Sequence, residues 1–169
     1  MTKNKTAMIK HASWAWMLVL FGLCACNNHA TFEQFQTVSP TAWDMNEPAH
    51  FEVSMNDTLG KYDVILHIRN TDLYNYQDIW LFTHSMAPDS TIATDTLACF
   101  LADNRGKWIN NAFLSEHNMP LVYMHNIRFP KIGTYTFDIA HGMRDSLLQG
   151  ISRIGLTIEP TKVIKNVKE

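Results

Sequence analysis

Leu121-Val122-Tyr123-Met124-His125-Asn126-Ile127-Arg128-Phe129-Pro130-Lys131-Ile132-Gly133-Thr134-Tyr135-Thr136-Phe137-Asp138-Ile139-Ala140 places two runs of apolar residues on either side of one turn. Before the turn, Leu121, Tyr123, Ile127 and Phe129 fall on one face. After it, Tyr135, Phe137 and Ile139 alternate with Thr134, Thr136 and Asp138, the pattern of a strand buried on one side. Pro130 to Gly133 supplies the turn, because proline ends a strand and glycine accepts backbone angles that other residues avoid. The two runs read as a β-hairpin.

The same period runs outward in both directions. Phe51, Val53 and Met55 alternate with Glu52 and Ser54, and Val64, Leu66 and Ile68 alternate with Asp63, His67 and Arg69, Ile65 being the exception. Ile79 to Met86 is apolar on both faces at first, Trp80 and Phe82 opposing Ile79 and Leu81, which predicts a central strand covered on both sides. Thr91 to Leu101 is long enough for a bent strand that changes faces. Gly150 opens a last strand, with Ile154, Leu156 and Ile158 inward and Arg153, Gly155 and Thr157 outward, ended by Pro160. No segment from Trp43 onward holds a helical period over ten residues. Seven or eight short strands at this spacing predict an all-β fold, an antiparallel β-sandwich of immunoglobulin-like or jelly-roll type.

The amino terminus has a different logic. Met1 to Lys10 carries Lys3, Lys5 and Lys10 and no acid, and an apolar run follows from Ala12 to Leu23. As a helix that run rises only about 18 Å, too short for a bilayer core of roughly 30 Å. It ends in Leu23-Cys24-Ala25-Cys26, which reads as a bacterial lipoprotein cleavage box. Ala25 suits the position before the acceptor, whereas Leu23 before Cys24 does not, so Cys26 is the expected lipidation site. The competing reading is an ordinary secretory signal in which Cys26 is only a thiol. Two or more acyl chains on Cys26 anchor a protein to a membrane stably where one does not.

The expected organisation is therefore a removed signal peptide over 1–25, an acylated amino terminus and tether over 26–40, a sandwich domain over 41–160 and a basic tail over 161–169. The tether has room for one short strand around Phe32 to Val38. Asn27 and Asn28 bring no acidic run after the acceptor, which favours a periplasm-facing domain. Cleavage removes three of the chain's 14 basic residues and none of its 16 acids, moving the net charge from −2 to about −5. A chain so balanced lacks the basic surface that phosphates require, which excludes nucleic acid as a partner. Of its 3 cysteines only Cys99 is then left as a thiol, so no internal disulfide forms and the core carries the stability.

Chemical signatures are sparse. The histidines show no metal-ligand spacing, although His67 and His125 would approach one another if their strands paired, as would His84. A nucleophile elbow and a phosphate-cradling loop are absent from the sequence, so neither enzyme nor cofactor is expected. Two long connections stand out, Asp103-Asn104-Arg105-Gly106-Lys107-Trp108 running on to Asn118, and Ala140-His141-Gly142-Met143-Arg144-Asp145 running on to Gly150. Trp108, Lys107, Arg105 and Arg144 are the candidate contacts for a partner or ligand. For Trp108 the competing reading is a side chain folded back to plug one end of the sandwich. For Arg144 it is an ion pair with Asp145 or Asp103.

A set of short words adds a family resemblance. The cleavage box, Ile68-Arg69-Asn70, Asp95-Thr96-Leu97, Gly106-Lys107-Trp108, Arg128-Phe129-Pro130 with Gly133-Thr134-Tyr135, and Met143-Arg144 before Gly150-Ile151 together resemble the gliding motility lipoprotein GldH family, from about Trp43 to Glu159. The resemblance implies an outer-membrane lipoprotein that serves the machinery moving adhesins along the cell surface and its coupled secretion system. It implies envelope proteins as partners, and neither a cofactor nor catalytic residues. Family members also occur in bacteria that do not glide. The alternative function is an envelope lipoprotein that binds glycans, with Tyr74, Tyr76, Trp108 and Tyr123 as stacking surfaces, on fold-level analogy alone.

Overall fold

Alternating apolar side chains become two facing layers in the computed structural model, which describes residues 30–38, 41–110, 112–113 and 115–162. The signal segment, Cys26 and the tail beyond Lys162 lie outside these residues. One sheet of five strands runs in the order β1 (Phe32–Thr37), β11 (Ile151–Pro160), β4 (Tyr62–Thr71), β8 (Glu116–Ile127) and β7 (Ala112–Phe113). The other runs β3 (Ala49–Met55), β9 (Gly133–His141), β5 (Asp78–Met86) and β6 (Ile92–Phe100). A two-stranded ribbon of β2 (Ala42–Asp44) and β10 (Leu147–Gln149) completes the described strands. All pairings are antiparallel.

The inward positions are those the alternation selects. Val64, Leu66, Ile68, Ile154, Leu156 and Ile158 of the five-stranded sheet are fully buried against Phe51, Val53, Phe137, Ile139, Ile79 and Leu81 of the other. The strand expected near Phe32 to Val38 is β1. It pairs with β11 from Phe32↔Ile158 to Thr37↔Arg153, so the sandwich begins inside the stretch read as tether.

Four details depart from the sequence reading. The runs around Pro130 are strands but not a hairpin. β8 pairs with β4 and β9 pairs with β3 and β5, so the Pro130–Gly133 turn crosses from one sheet to the other. At that corner Phe129 is buried, its ring set edge-on against Tyr62 at 5.8 Å and Tyr135 at 4.9 Å between centroids. Gly133 takes φ +138 with the Pro88 side chain against its α-carbon, a place no side chain fits. Alternation tells which face of a strand is buried, but both sheets offer the same kind of face, so it does not choose the partner.

β6 is not bent. It pairs with β5 in unbroken register from Met86↔Ile92 to Asp78↔Phe100. β8 starts at Glu116, five residues before the run that signalled it, because Pro120 and register shifts near Val64 and Ile65 interrupt its alternation. Finally, β5 is central in its sheet but covered on one side only: Ile79 and Leu81 are fully buried, whereas Trp80 and Phe82 are 44% and 49% exposed. No helix is present among the described residues to lie over that outer face, and an antiparallel sheet tolerates one solvated side.

Since the described cysteine, Cys99, is a free buried thiol, the inter-sheet layer holds the domain without a crosslink. Leu66→Ala, at a fully buried central position, is expected to cost about 2–5 kcal/mol. Urea unfolding should show a lower midpoint at an unchanged slope.

Candidate functional site

Three connections meet at one end of the sandwich, and with them the residues singled out in the sequence. The Asp103–Lys107 stretch is a tight turn. Asp103 Oδ1 accepts the backbone N–H groups of Arg105 and Lys107, each at 2.9 Å, and Gly106 takes φ +78 at its tip. The chain then returns, Trp108 pairing with Ala102 as an isolated bridge. Arg105 and Lys107 are carried at the tip, exposed.

Trp108 is folded back. Its indole Nε1–H donates to Asp72 Oδ1 at 3.0 Å, and the ring lies 5.2 Å from His117 and 6.5 Å from Tyr74. His117 Nε2 also meets Asp72 Oδ1, at 2.9 Å, and the two donors hold the Asp72 carboxyl below its usual range. Tyr74 is buried, its hydroxyl donating to the Asp78 carbonyl at 2.8 Å and its ring set against Tyr76 at 5.7 Å. Tyr76 in turn donates to Asp145 Oδ2 at 2.6 Å, which ties the Arg144 loop to the same end. Arg144 is exposed. Neither carboxylate suggested for it is engaged with it, Asp145 accepting from Tyr76 and Asp103 capping its own turn. Among the described residues, Arg105, Lys107 and Arg144 form no ion pair; they are exposed on the two loops beside the aromatic plug, which also carry Asp103 and Asp145.

The four aromatics suggested as a stacking platform do not share one surface. Tyr123 lies apart from the other three. Its hydroxyl accepts from Thr83 Oγ1 at 3.0 Å and donates to Asp95 Oδ2 at 2.7 Å, and it bridges the two sheets. The exposed aromatic surface is elsewhere, on the outer side of the four-stranded sheet. There Trp80 and Phe82 stand beside Ala98, Thr96 and Ala140 of the flanking strands, and Phe100, 65% exposed, closes the row. The signal was present in the sequence as the second apolar face of Ile79 to Met86, but that face was assigned to burial.

Next to this surface runs a polar row in strict register across all four strands, His50, Asp138, His84 and Thr94. Asp138 Oδ1 meets His50 Nδ1 at 2.6 Å, and Asp138 Oδ2 lies 3.7 Å from His84 Nδ1. An open hollow of about 450 Å³ is lined by Phe82, His84, Thr94, Asp138, Ala140 and Pro48 among others. Among the described residues no three His, Cys, Asp or Glu side chains are placed to hold an ion. His67 and His125 do not meet although their strands pair, since His67 lies opposite Pro120 and bonds Thr157 while His125 pairs with Asp63. Cys99 is buried and its thiol is pushed up to about 11, which suppresses the thiolate.

Comparison with known proteins supplies the remaining finding. A family model described as "GldH lipoprotein" matches residues 30–158. A curated relative named "Gliding motility lipoprotein GldH homolog", from Christiangramia forsetii, is 26% identical over 84% of this chain and 90% of its own length. "Gliding motility lipoprotein GldH" from Flavobacterium johnsoniae is 24% identical over 85% of this chain and 92% of its own. Among solved structures, one titled "Structure of infectious bursal disease virus Gx strain" aligns with a TM-score of 0.37 at 10% identity, covering 79% of this chain. The chain spans 31% of that protein.

The Asp138 carboxylate raises the His50 pKa above its ordinary 6.5. A raised value means that the protonated imidazole stabilises the fold. That stability is present in full below pH 6.5 and is lost as pH rises through the folded value. NMR titration is expected to place His50 above the free imidazole, and Asp138→Asn to bring it down. The effect on unfolding is small because the pair is solvated.

Proposed function

This chain belongs to the GldH lipoprotein family, and on that premise we propose that it is a non-enzymatic accessory subunit of a gliding-motility apparatus and its coupled secretion machinery. It acts by contacts with other envelope proteins while held at the outer membrane through Cys26, with its domain facing the periplasm. The observation that carries this reading is the exposed aromatic row Trp80, Phe82 and Phe100 on the outer face of the four-stranded sheet. Exposed aromatics beside small residues are the usual anchors of protein interfaces, with charged groups at the rim. Arg105, Lys107 and Arg144 supply exposed charges on the loops at the adjoining end of the sandwich.

The tether gains in importance from the position of β1. Since pairing starts at Phe32, the leash from Cys26 is six residues long, at most about 20 Å when extended. A short leash confines the domain to a thin layer over the lipid and raises its effective concentration toward other membrane-bound proteins. Acylation at Cys26 is thus part of the proposed mechanism as well as the address.

Two variants test this in cells. Cys26→Ala is expected to leave the domain folded by circular dichroism yet abolish recovery of motility or secretion components after in-cell crosslinking and capture through a carboxy-terminal tag. Trp80→Ala with Phe82→Ala is expected to reduce that recovery by at least about tenfold with the anchor intact. Full motility from the unacylated, soluble periplasmic form would overturn the tethered-subunit reading.

A further inference from the structure

A sheet edge carries unpaired backbone groups, and folded proteins blunt such edges with proline, lysine, bulges or covering side chains. Three edges here are treated in this way. β1 is short and polar, with Glu33, Gln34 and Gln36 along it. β8, which β7 covers only at Glu116 and His117, carries Pro120, two register shifts and Asn126 at φ +58. On β3 the backbone of His50 is covered by the Gln36 side chain: the His50 N–H donates to Gln36 Oε1 at 2.9 Å and the Gln36 amide donates to the His50 carbonyl.

β6 has fewer of these devices: its one charge, Asp95, points between the sheets, where its carboxylate accepts from the Tyr123 hydroxyl. Its nine residues, Ile92 to Phe100, include no proline, lysine or arginine, and it meets β5 without a bulge. The direction of its free backbone groups follows from both ends of the ladder. Ala87 N–H donates to the Thr91 carbonyl and Leu101 N–H donates to the Gln77 carbonyl. Alternation between these two points turns the backbone groups of residues 93, 95, 97 and 99 toward β5. Those of Ile92, Thr94, Thr96, Ala98 and Phe100 point away from the sheet. Among the described residues, the N–H and carbonyl groups of Ile92, Thr94, Thr96 and Ala98 have no partner beyond the sheet. The same five residues present their side chains on the outer face beside Trp80 and Phe82, with Ile92 55% exposed.

We infer that β6 is a docking edge that accepts an extended strand of a second protein by β-augmentation. The incoming strand is uncharged and apolar or β-branched at alternate positions, matching the outer row Ile92, Thr94, Thr96, Ala98 and Phe100. Its other face carries a lysine or arginine at the position nearest Asp95, the one charge on β6, whose exposed carboxylate accepts from Tyr123 through Oδ2; the rest of that face meets the apolar Ala93, Leu97 and Cys99. A second copy of this chain fits poorly. Two β6 strands paired about Thr96 would set their Asp95 carboxylates on a diagonal of roughly 7–8 Å, with like charges opposed. The edge is also well placed for a partner. β1, where the leash enters, touches β3, and β6 is the far edge of β3's sheet. That the partner is an envelope protein rests on the proposed function; the strand addition itself rests on the free edge.

The test uses the full acylated chain in phosphatidylcholine vesicles and two nine-residue peptides, one alternating valine with lysine and one alternating valine with glutamate. The lysine peptide is expected to bind at least about tenfold more tightly and to slow amide hydrogen exchange at Ile92, Thr94, Thr96 and Ala98. Thr96→Pro should remove the binding by deleting an outward N–H. Asp95→Lys, which leaves the backbone edge intact, should reverse the preference toward the glutamate peptide. Protection at β3 or β8 instead, no protection at all, an unchanged preference in Asp95→Lys, or a dimer by sedimentation that Thr96→Pro abolishes would each overturn the inference. Failure of peptide binding while Cys26→Ala still abolishes motility would remove the docking edge and leave the accessory-subunit reading standing. Peptide binding with motility indifferent to Cys26 would do the reverse.

Discussion

The apolar layer between the two sheets is the constraint on which everything else in this domain depends. With no disulfide among the described residues and a single buried thiol, the folded state rests on side chains such as Leu66, Ile154 and Leu156 meeting Phe51, Phe137 and Leu81 across the gap. Burial of this kind favours folding by roughly 25 cal/mol per Å² of apolar surface, and that gain has to exceed the conformational entropy lost by every ordered residue. The ends of the layer are closed by aromatic clusters, Phe129 with Tyr62 and Tyr135 at the corner, and Trp43 with His141 where the small ribbon packs. His141 donates to the Trp43 carbonyl at 3.0 Å, so even a polar residue in this layer is tied to the backbone it covers.

A two-layer domain without helices leaves both outer faces to be managed. Over the five-stranded sheet, Phe35 lies across Gly155 and under the Arg69 guanidinium, 4.0 Å from the ring centre, and His67 bonds Thr157. The middle of that face is thus covered by its own side chains, while Val122 toward its β8 side stays 56% exposed. The four-stranded sheet is treated differently: half its outer face is a polar row of imidazoles and a carboxylate, and the other half is bare aromatic surface running to an unprotected edge. Phe35 and Arg69 show that outer aromatic surface can be covered from within the same sheet, which Trp80 and Phe82 are not. The contrast is what directs attention to β5 and β6 as the working side of the molecule.

The two ends of the proposed mechanism are separated by the width of the sheet. The first strand, β1, lies on one side, while the exposed row and the free strand lie on the other. In the proposed arrangement, an anchor ahead of β1 would leave the opposite edge to the surroundings, which suits a subunit that holds or positions a neighbour. The cationic tip formed by Arg105 and Lys107 adds a charged feature to an otherwise acidic chain, at the end where the Trp108 plug keeps the loops in place.

The lipoprotein family and the class of fold were legible without coordinates, because both are written in local patterns. A cleavage box is a short contiguous word, and a period of two names the buried face of each strand wherever one face is wet; thus Val64, Leu66, Ile68, Tyr135, Phe137, Ile139 and Ile154 were all found on the side predicted for them. What the tertiary structure alone decided was partnership. The strands around Pro130 have the same alternation whether they pair with each other or part into different sheets, and only the packing of Phe129 at the corner separates the two. Trp80 and Phe82 look like a second buried face until the absence of a covering element among the described residues leaves them in solvent. Trp108 likewise reads as an anchor or a plug until Asp72, from another loop, accepts its indole proton. In each case the missing fact is a contact between residues distant in sequence, and a periodic pattern of apolar residues is degenerate with respect to which distant surface it meets.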